Sequence, residues 1–186
     1  MIEYYYLKKP GASEYLMRLF VAIDLSKPMK DALINAQNEM FDGGVRGNYT
    51  SEENLHLTLA FIGEVPNAEP ALEALSGVSF TPFELALEGL GSFGDLWWAG
   101  MRPSPPLDAL ARRVRRALAE GGVPFDRKRF SPHVTLIRKA RGDMPGIGIG
   151  EAAMTVEAFS LMRSDRSRNG MIYTELRRIE AEKNNC

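Results

Sequence analysis

Residues 55–63 read LHLTLAFIG and residues 132–136 read PHVTL, so one short pattern occurs twice in the chain. In both segments apolar residues alternate with polar ones, which predicts half-buried β-strands. Successive side chains of a strand point to opposite faces, so a His and a Thr two positions apart share one face. Each strand therefore presents a polar pair, His56 with Thr58 and His133 with Thr135, while the residue between them enters the core.

Outward from these strands, the chain predicts about seven strands and three helices. Helices are expected from Ser26 to about Met40, around residues 71–75, and from Ser104 to Gly121, because prolines follow both serines and Gly-Gly pairs end both long segments. The other strands are expected at residues 18–25, 83–90, 96–101, 154–162 and 171–176. Two comparable sets emerge, each with a helix and a His/Thr strand. We therefore predict an α+β, bilobal fold: two pseudo-symmetric lobes with mixed or antiparallel sheets, outer helices and a central cleft.

The composition is that of one globular domain. The chain has 186 residues and a formal net charge of −1, which argues against a polycation that coats nucleic acid but leaves room for a local basic patch. Its one cysteine is Cys186, which favours a reducing, cytoplasmic setting. No apolar run approaches the roughly 20 residues of a membrane span. We expect a loose N-terminal extension at residues 1–16, a single domain at residues 17–186, a monomer and no membrane contact.

The duplicated pair points to chemistry. A single His-x-Thr on a strand is more often structural, but two matching polar pairs on apolar strands need partners, and a ligand shared between the lobes would supply them. Hydrolysis of a phosphodiester needs one proton removed from water and one given to the leaving oxygen, in line across phosphorus. Two imidazoles suit both tasks, and threonine hydroxyls can donate to the phosphoryl oxygens. Two histidines fall short of the usual zinc ligand set, so we expect no metal and no cofactor.

Basic and aromatic residues near the second pair are candidates for substrate binding. Residues 127–141 hold six basic side chains and no acidic one, which predicts an anion-attracting rim that includes Arg129 and Arg138. The odd offset of Arg138 from His133 puts it on the opposite strand face unless the strand twists or bulges. Phe130 and Tyr173, together with Trp97 and Trp98, could stack on a base, although most aromatic side chains in strands belong to the core.

The ordered set of motifs resembles the 2H phosphoesterases, which are named for paired His-x-Thr/Ser motifs. Within them it resembles the RNA 2′,3′-cyclic phosphodiesterases, formerly called 2′-5′ RNA ligases (LigT-like). The resemblance runs from Arg18 to about Leu176. It includes RLFVAI at 18–23, LHLTLAFIGE at 55–64, FSPHVTLIR at 130–138, and the tail from Ser164 through Gly170 and Tyr173.

This resemblance implies metal-independent opening of 2′,3′-cyclic phosphates, on RNA ends or nucleotides, to 2′-phosphomonoesters. It also implies the reverse type of reaction, 2′-5′ ligation. By analogy His133 activates water, His56 protonates the departing 3′ oxygen, and Thr58 and Thr135 hold the phosphate. Two alternatives remain open at this point: a non-catalytic nucleotide- or RNA-binding module that keeps the cleft, and a phosphodiesterase for another cyclic phosphate or a 2′-5′ oligonucleotide.

Overall fold

The computed structural model describes residues 16–144, 146–168 and 170–182. Most of the expected N-terminal extension therefore lies outside the described residues. The strands are β1 (Met17–Asp24), β2 (Arg46–Tyr49), β3 (His56–Val65), β4 (Phe83–Phe93), β5 (Leu96–Met101), β6 (His133–Arg141), β7 (Ala153–Val156), β8 (Ala158–Ser167) and β9 (Gly170–Glu180). The helices are α1 (Lys27–Asp42), α2 (Glu69–Ser76) and α3 (Pro105–Glu120), and a 3₁₀ turn (Glu52–Asn54) precedes β3.

The strands form two antiparallel sheets, which confirms the predicted α+β, bilobal architecture. One sheet has the order β3-β1-β8-β9 and the other has the order β2-β6-β5-β4-β7. Each His/Thr strand pairs with the strand that leads into a long helix, β3 with β1 and β6 with β5. The helix then crosses over: α1 leaves β1 and packs on β6 and β7, whereas α3 leaves β5 and packs on β3 and β4. The two halves are thus related by a pseudo-two-fold axis.

The core lies between the sheets and the outer helices. The residues between the polar pairs, Leu57 and Val134, are both 0% exposed, as the alternating pattern predicts. The helix α3 buries one apolar stripe, which consists of Leu107, Leu110, Ala111, Val114 and Leu118. Its N-terminus is capped as expected, since the Ser104 hydroxyl accepts from the Leu107 amide at 3.4 Å. The Ser26 hydroxyl makes no such cap on α1, and within residues 16–144, 146–168 and 170–182 it is buried without a hydrogen-bond partner.

Two features of the sheets differ from the prediction. The strand β2 was not predicted, because its sequence RGNY shows no apolar alternation and its side chains are mostly exposed. The single strand expected at 154–162 is two strands, β7 and β8, that belong to different sheets. The chain passes from one sheet to the other at Glu157, while its neighbours Val156 and Ala158 remain buried. Within the described part of the chain, no helix has the length and apolar character needed to cross a membrane.

Candidate active site

The two His/Thr pairs line the cleft between the sheets. His56, Thr58, His133 and Thr135 are all partly buried, and each pair lies on the face of its strand opposite the core. The strands β3 and β6 belong to different sheets, yet their Cα atoms approach within 8 Å. The imidazoles are also coupled electrostatically, because positive charge on His133 lowers the pKa of His56. The structure therefore brings together the four side chains that the sequence pattern singles out.

Both imidazoles are anchored in the same way. Nδ1 of His56 lies 2.7 Å from the carbonyl oxygen of Asn54, and Nδ1 of His133 lies 2.7 Å from the carbonyl oxygen of Ser131. A carbonyl oxygen can only accept, so in each ring Nδ1 carries the proton and donates it. Nε2 is then left to accept or deliver a proton in the cleft. Asn54 is fixed in turn, because its Nδ2 donates to the Met171 carbonyl at 2.8 Å.

Aromatic rings hold each imidazole from the side. His56 contacts Phe20 and Tyr173, with ring centroids 4.8 Å and 5.2 Å away, and the Tyr173 contact is edge-to-face. His133 contacts Phe93 edge-to-face at 5.3 Å and Trp98 at 6.1 Å. Tyr173, a predicted stacking residue, therefore lies directly beside His56. Phe20 and Phe93 were not singled out from the sequence, because nothing in an alternating strand or a hairpin tip shows which ring reaches a distant histidine.

The environment of His56 disfavours its charged form. Burial lowers the pKa of the His56 imidazole below 6.5, and the positive charges of Arg138 and His133 lower it further. The Asn54 carbonyl and the Asp24 carboxylate act in the opposite direction. Asp24 is the direct neighbour of His56 across β1 and β3, and Lys30 holds its carboxylate at 2.8 Å. Burial is the largest of these effects, so the net shift of the His56 pKa in the free protein is downward and favours the neutral imidazole.

This electrostatic arrangement can be measured directly. In the free protein we expect an NMR titration of the imidazole Hε1 signal to give His56 a pKa below 6.5. Asp24→Asn should lower this pKa further, and Arg138→Ala should raise it, since each removes a charge of known sign. Because folding depresses the pKa, protonation of His56 favours the unfolded chain, so its contribution to stability is lost as the pH falls below 6.5. A His56 pKa at or above 6.5, with the signal assigned from His133→Ala, would contradict the assignment of burial as the dominant effect.

A β-bulge places Arg138 on the cleft face. Thr135 pairs with Trp98 and Ile137 pairs with Trp97, so Leu136 has no partner on β5. Leu136 and Ile137 are consequently both fully buried, and the alternation resumes one residue later with exposed Arg138. The offset that pointed Arg138 away from the cleft is thus reversed by the extra residue.

The strand of the first motif, β3, also contains a β-bulge, but a different residue follows it on the cleft face. On β3, Thr58 pairs with Ala22 and Ala60 with Val21, which leaves Leu59 unpaired on β1. Phe61 then occupies the position equivalent to Arg138. The guanidinium of Arg18 lies over the Phe61 ring, 4.8 Å from its centroid. The cleft is therefore symmetric in its histidines and threonines but not in the groups that flank them.

Gln37 clamps the β6 bulge. It is only 5% exposed, and its Nε2 donates to the carbonyl oxygens of Leu136 and Thr50, both at 2.9 Å. The Thr50 amide also donates to the Leu136 carbonyl at 2.8 Å. The bulge carbonyl is thus fully satisfied at the point where β2 ends. Sequence reasoning missed Gln37, since a polar residue on a helix ordinarily faces solvent and only the tertiary contact shows its role.

Gln37→Met should destabilise the protein by about 1–3 kcal/mol, because the half-buried Thr50 carbonyl loses the amide of Gln37. Because the bulge also positions Arg138, KM for an anionic substrate should rise about tenfold, the equivalent of ~1.4 kcal/mol. Urea denaturation and steady-state kinetics measure the two effects. The exposed neighbour Asn38→Met is the matched control, and in an Arg138→Ala background Gln37→Met should leave KM unchanged. An equal KM increase in that background would show that Gln37 does not act through Arg138.

The other predicted binding residues lie next to α3. Arg129 and Phe130 line a pocket between α3 and residues 127–130. Of the two tryptophans, Trp97 is 6% exposed and belongs to the core, so it is not available for stacking, whereas Trp98 reaches His133. Glycines opposite and beside Trp98 make room for its indole, because a Cβ at Gly91 would lie 2.3 Å from that ring. Within the described residues, no group of three or more His, Cys, Asp or Glu side chains could hold a metal ion.

Comparison with known proteins agrees with this fold and motif order. Residues 45–168 match the model of the 2′-5′ RNA ligase superfamily. The RNA 2′,3′-cyclic phosphodiesterase of Archaeoglobus fulgidus is 35% identical, over 88% of this chain and 100% of its own length. The protein of the same name from Geobacillus stearothermophilus is 35% identical, and the match covers 68% of this chain and 43% of that protein.

A solved structure gives the same picture in three dimensions. The crystal structure of Escherichia coli LigT in complex with 3′-AMP superposes with a TM-score of 0.78 at 32% sequence identity, and the match covers 91% of this chain and 100% of LigT. The family model, the sequence of the Archaeoglobus fulgidus relative and the fold of LigT each match most of this chain. This protein belongs to the 2′-5′ RNA ligase superfamily.

Proposed function

We propose that the protein hydrolyses 2′,3′-cyclic phosphates at RNA ends or on nucleotides to 2′-phosphomonoesters, without a metal ion. The observation that carries this proposal is the pair of identically anchored imidazoles on β3 and β6. In both rings Nδ1 is bound to a main-chain carbonyl, and Nε2 has no hydrogen-bond partner among the described residues. The names of the relatives support the substrate class, since those that match over most of this chain are RNA 2′,3′-cyclic phosphodiesterases.

In the proposed reaction, water attacks phosphorus in line with the 3′ oxygen. Nε2 of His133 takes a proton from the water as the new O–P bond forms, and Nε2 of His56 gives a proton to the 3′ oxygen as the P–O3′ bond breaks. The 2′ ester bond is kept, so the product is a 2′-phosphomonoester. If a 5′-hydroxyl takes the place of water, the same proton transfers form a 2′-5′ linkage.

The surroundings of the two histidines support this division of roles. Asp24 is the cross-strand neighbour of His56, and its negative charge favours the imidazolium that an acid needs. The equivalent neighbour of His133 is Gly100, which carries no charge. Burial keeps the pKa of His56 low in the free protein, but an anionic phosphate in the cleft adds a second negative charge and also offsets the charge of Arg138. Substrate binding therefore raises the pKa of His56 and prepares it as the acid.

Thr58 and Thr135 complete the proposed site. Both hydroxyls lie on the same strand faces as the histidines, where they can donate to the non-bridging phosphoryl oxygens as negative charge accumulates there. Arg138 adds a positive charge on the same face. These donors act on the transition state, whereas the aromatic rings around each imidazole fix its orientation.

The test is a phosphorus NMR assay with 2′,3′-cyclic AMP in the presence of EDTA. We expect the cyclic-phosphate signal to be replaced by that of 2′-AMP only. Formation of 3′-AMP would contradict the proposed leaving group, and tight binding without turnover would instead select the non-catalytic binding module. Activity that disappears in EDTA and returns with a divalent cation would contradict the metal-free mechanism. A parallel assay on 2′-5′-linked diadenosine separates the alternative substrate class.

A further inference from the structure

Two surface pockets of similar size lie beside the equivalent helices of the two halves. The α1 pocket, between α1 and residues 148–151, has a volume of about 470 Å³. The α3 pocket, between α3 and residues 127–130, also has a volume of about 470 Å³. Because α1 and α3 occupy matching positions about the pseudo-two-fold axis, a difference between the pockets distinguishes the two sides of the cleft.

The two pockets carry opposite charge. The α1 pocket is lined by three carboxylates and by no basic side chain. Asp31 forms an ion pair with Lys27, so Glu39 and Glu151 carry most of the negative charge. The α3 pocket is lined by five basic side chains and one carboxylate, namely Arg112, Arg115, Arg127, Lys128, Arg129 and Asp108. The net charge of the whole chain is only −1, so this separation is local. A polyanion that enters the cleft is attracted to one side and repelled from the other.

Two of the five basic residues of the α3 pocket, Arg115 and Arg127, pack against the loop before β6. The Arg115 guanidinium donates to the main-chain carbonyls of Asp126 and Lys128, which ties the loop before β6 to α3. The guanidinium groups of Arg115 and Arg127 lie 5.4 Å and 5.2 Å from the centroid of the Phe125 ring. Arg115 is thus structural, whereas Arg112 and Arg127 are exposed and can contact a ligand.

The same loop links this pocket to the proposed catalytic cleft. Phe130 lines the pocket, and the next residue, Ser131, supplies the carbonyl that anchors His133. At the other end of the loop, the Asp126 amide donates to the carbonyl of Phe61 at 2.8 Å, and Phe61 follows the first motif on the cleft face. Phe130 and His133 are three residues apart, at most about 10 Å along the chain, so an RNA strand that continues beyond the nucleotide at His133 can reach the pocket.

We propose that the α3 pocket binds the phosphate backbone of the RNA that precedes the cyclic end, and that the α1 pocket repels it. This inference rests on the proposed function and adds the surface that holds the RNA chain upstream of its cyclic end. Arg112 and Arg127 contact backbone phosphates, so the binding is independent of base sequence and sensitive to salt. The opposite charges of the two pockets set the side on which the strand leaves the cleft.

The experiment compares 2′,3′-cyclic AMP with a single-stranded 12-nucleotide RNA that ends in a 2′,3′-cyclic phosphate. For Arg112→Ala/Arg127→Ala we expect KM for the RNA to rise about tenfold while kcat/KM for the mononucleotide stays unchanged. Loss of two phosphate contacts should also reduce the slope of log(kcat/KM) against log[salt] by about 1.4, since each contact on a single strand contributes roughly 0.7. Binding is also measured without turnover, by the fluorescence anisotropy of a labelled RNA of the same sequence that ends in a 3′-phosphate instead of the cyclic phosphate.

Arg116 provides the matched control. It is exposed on the same helix, one turn from Arg112, but does not line the pocket, so Arg116→Ala should leave KM for the RNA unchanged. On the acidic side, Glu39→Gln/Glu151→Gln removes two repelling charges and should strengthen RNA binding; unchanged binding would contradict the repulsion by the α1 pocket. Equal effects of Arg112→Ala and Arg116→Ala, or equal KM values of the wild type for mononucleotide and RNA, would overturn the proposal. If RNA binds with the expected salt slope but neither substrate turns over, the proposed function fails and the RNA-binding assignment stands.

Discussion

His56→Ala and His133→Ala should each lower kcat on 2′,3′-cyclic AMP by about 10²–10⁴, the usual contribution of one positioned proton transfer. The double variant should be little worse than either single one, since one missing proton transfer already removes most of the benefit of the other. Steady-state kinetics from pH 5 to 9 measure these losses. The wild-type pH profile should be bell-shaped, because one imidazole has to be neutral and the other charged, and each single variant should lose one limb.

The control for these variants keeps the structural role of the ring. In His56→Asn the side-chain amide can still donate to the Asn54 carbonyl, but it cannot carry a proton to the leaving oxygen. We expect its melting temperature to match that of the wild type and its activity to match that of His56→Ala. Retention of most of the wild-type kcat by His56→Asn, or by either alanine variant, would refute acid–base catalysis by these two histidines.

Thr58→Val and Thr135→Val should each reduce kcat by about 10², with a smaller change in KM. Valine keeps the shape of threonine but cannot donate to a phosphoryl oxygen, and removing one donor to a developing oxyanion costs about 10²–10³ in rate. The effect falls on kcat because the negative charge on the phosphoryl oxygens grows toward the transition state. Kinetics on 2′,3′-cyclic AMP under saturating conditions give this number.

Thr155→Val is the matched control for both threonine variants. Thr155 is exposed on β7, an edge strand that β5 and β4 separate from β6. Its loss should therefore leave kcat and KM unchanged. An increase of KM alone in Thr58→Val and Thr135→Val would show that the hydroxyls bind the ground state rather than the transition state. An unchanged kcat and KM would remove them from the site.

The parts of the site that follow from period-two alternation could be predicted. His56 and Thr58 share a face because strands alternate, and the repeat of the motif made a shared cleft the simplest way to satisfy both pairs. Phe61 and Arg138 could not be placed in this way, because the bulges that turn them into the cleft depend on tertiary pairing with β1 and β5. A single unpaired residue reverses the face of every side chain that follows it.

The residues that surround the two histidines could not be predicted from the sequence either, because their contacts depend on the tertiary structure. The clamp by Gln37 joins residues about a hundred positions apart, and the pairing of Phe93 with His133 depends on how a hairpin folds over the sheet. Charge runs are visible in a sequence, so the basic segment before β6 was expected. Arg112 on α3 lines the same pocket as this segment. In the sequence, the arginines of α3 indicate only a solvent-exposed helix face, and the packing of α3 against the loop shows that Arg112 belongs to the pocket.

The crossed helices have a consequence for how the molecule moves. Each lobe contributes the helix that supports the other lobe's histidine strand, so neither half has a complete core when it is separated from its partner. A hinge motion that separates the halves would expose buried apolar contacts. The distance between the imidazoles is therefore fixed on folding rather than on substrate binding. Unfolding should accordingly be a single cooperative event, with amide hydrogens of β3 and β6 exchanging together, and a gene cut between α2 and β4 should yield no stable fragment.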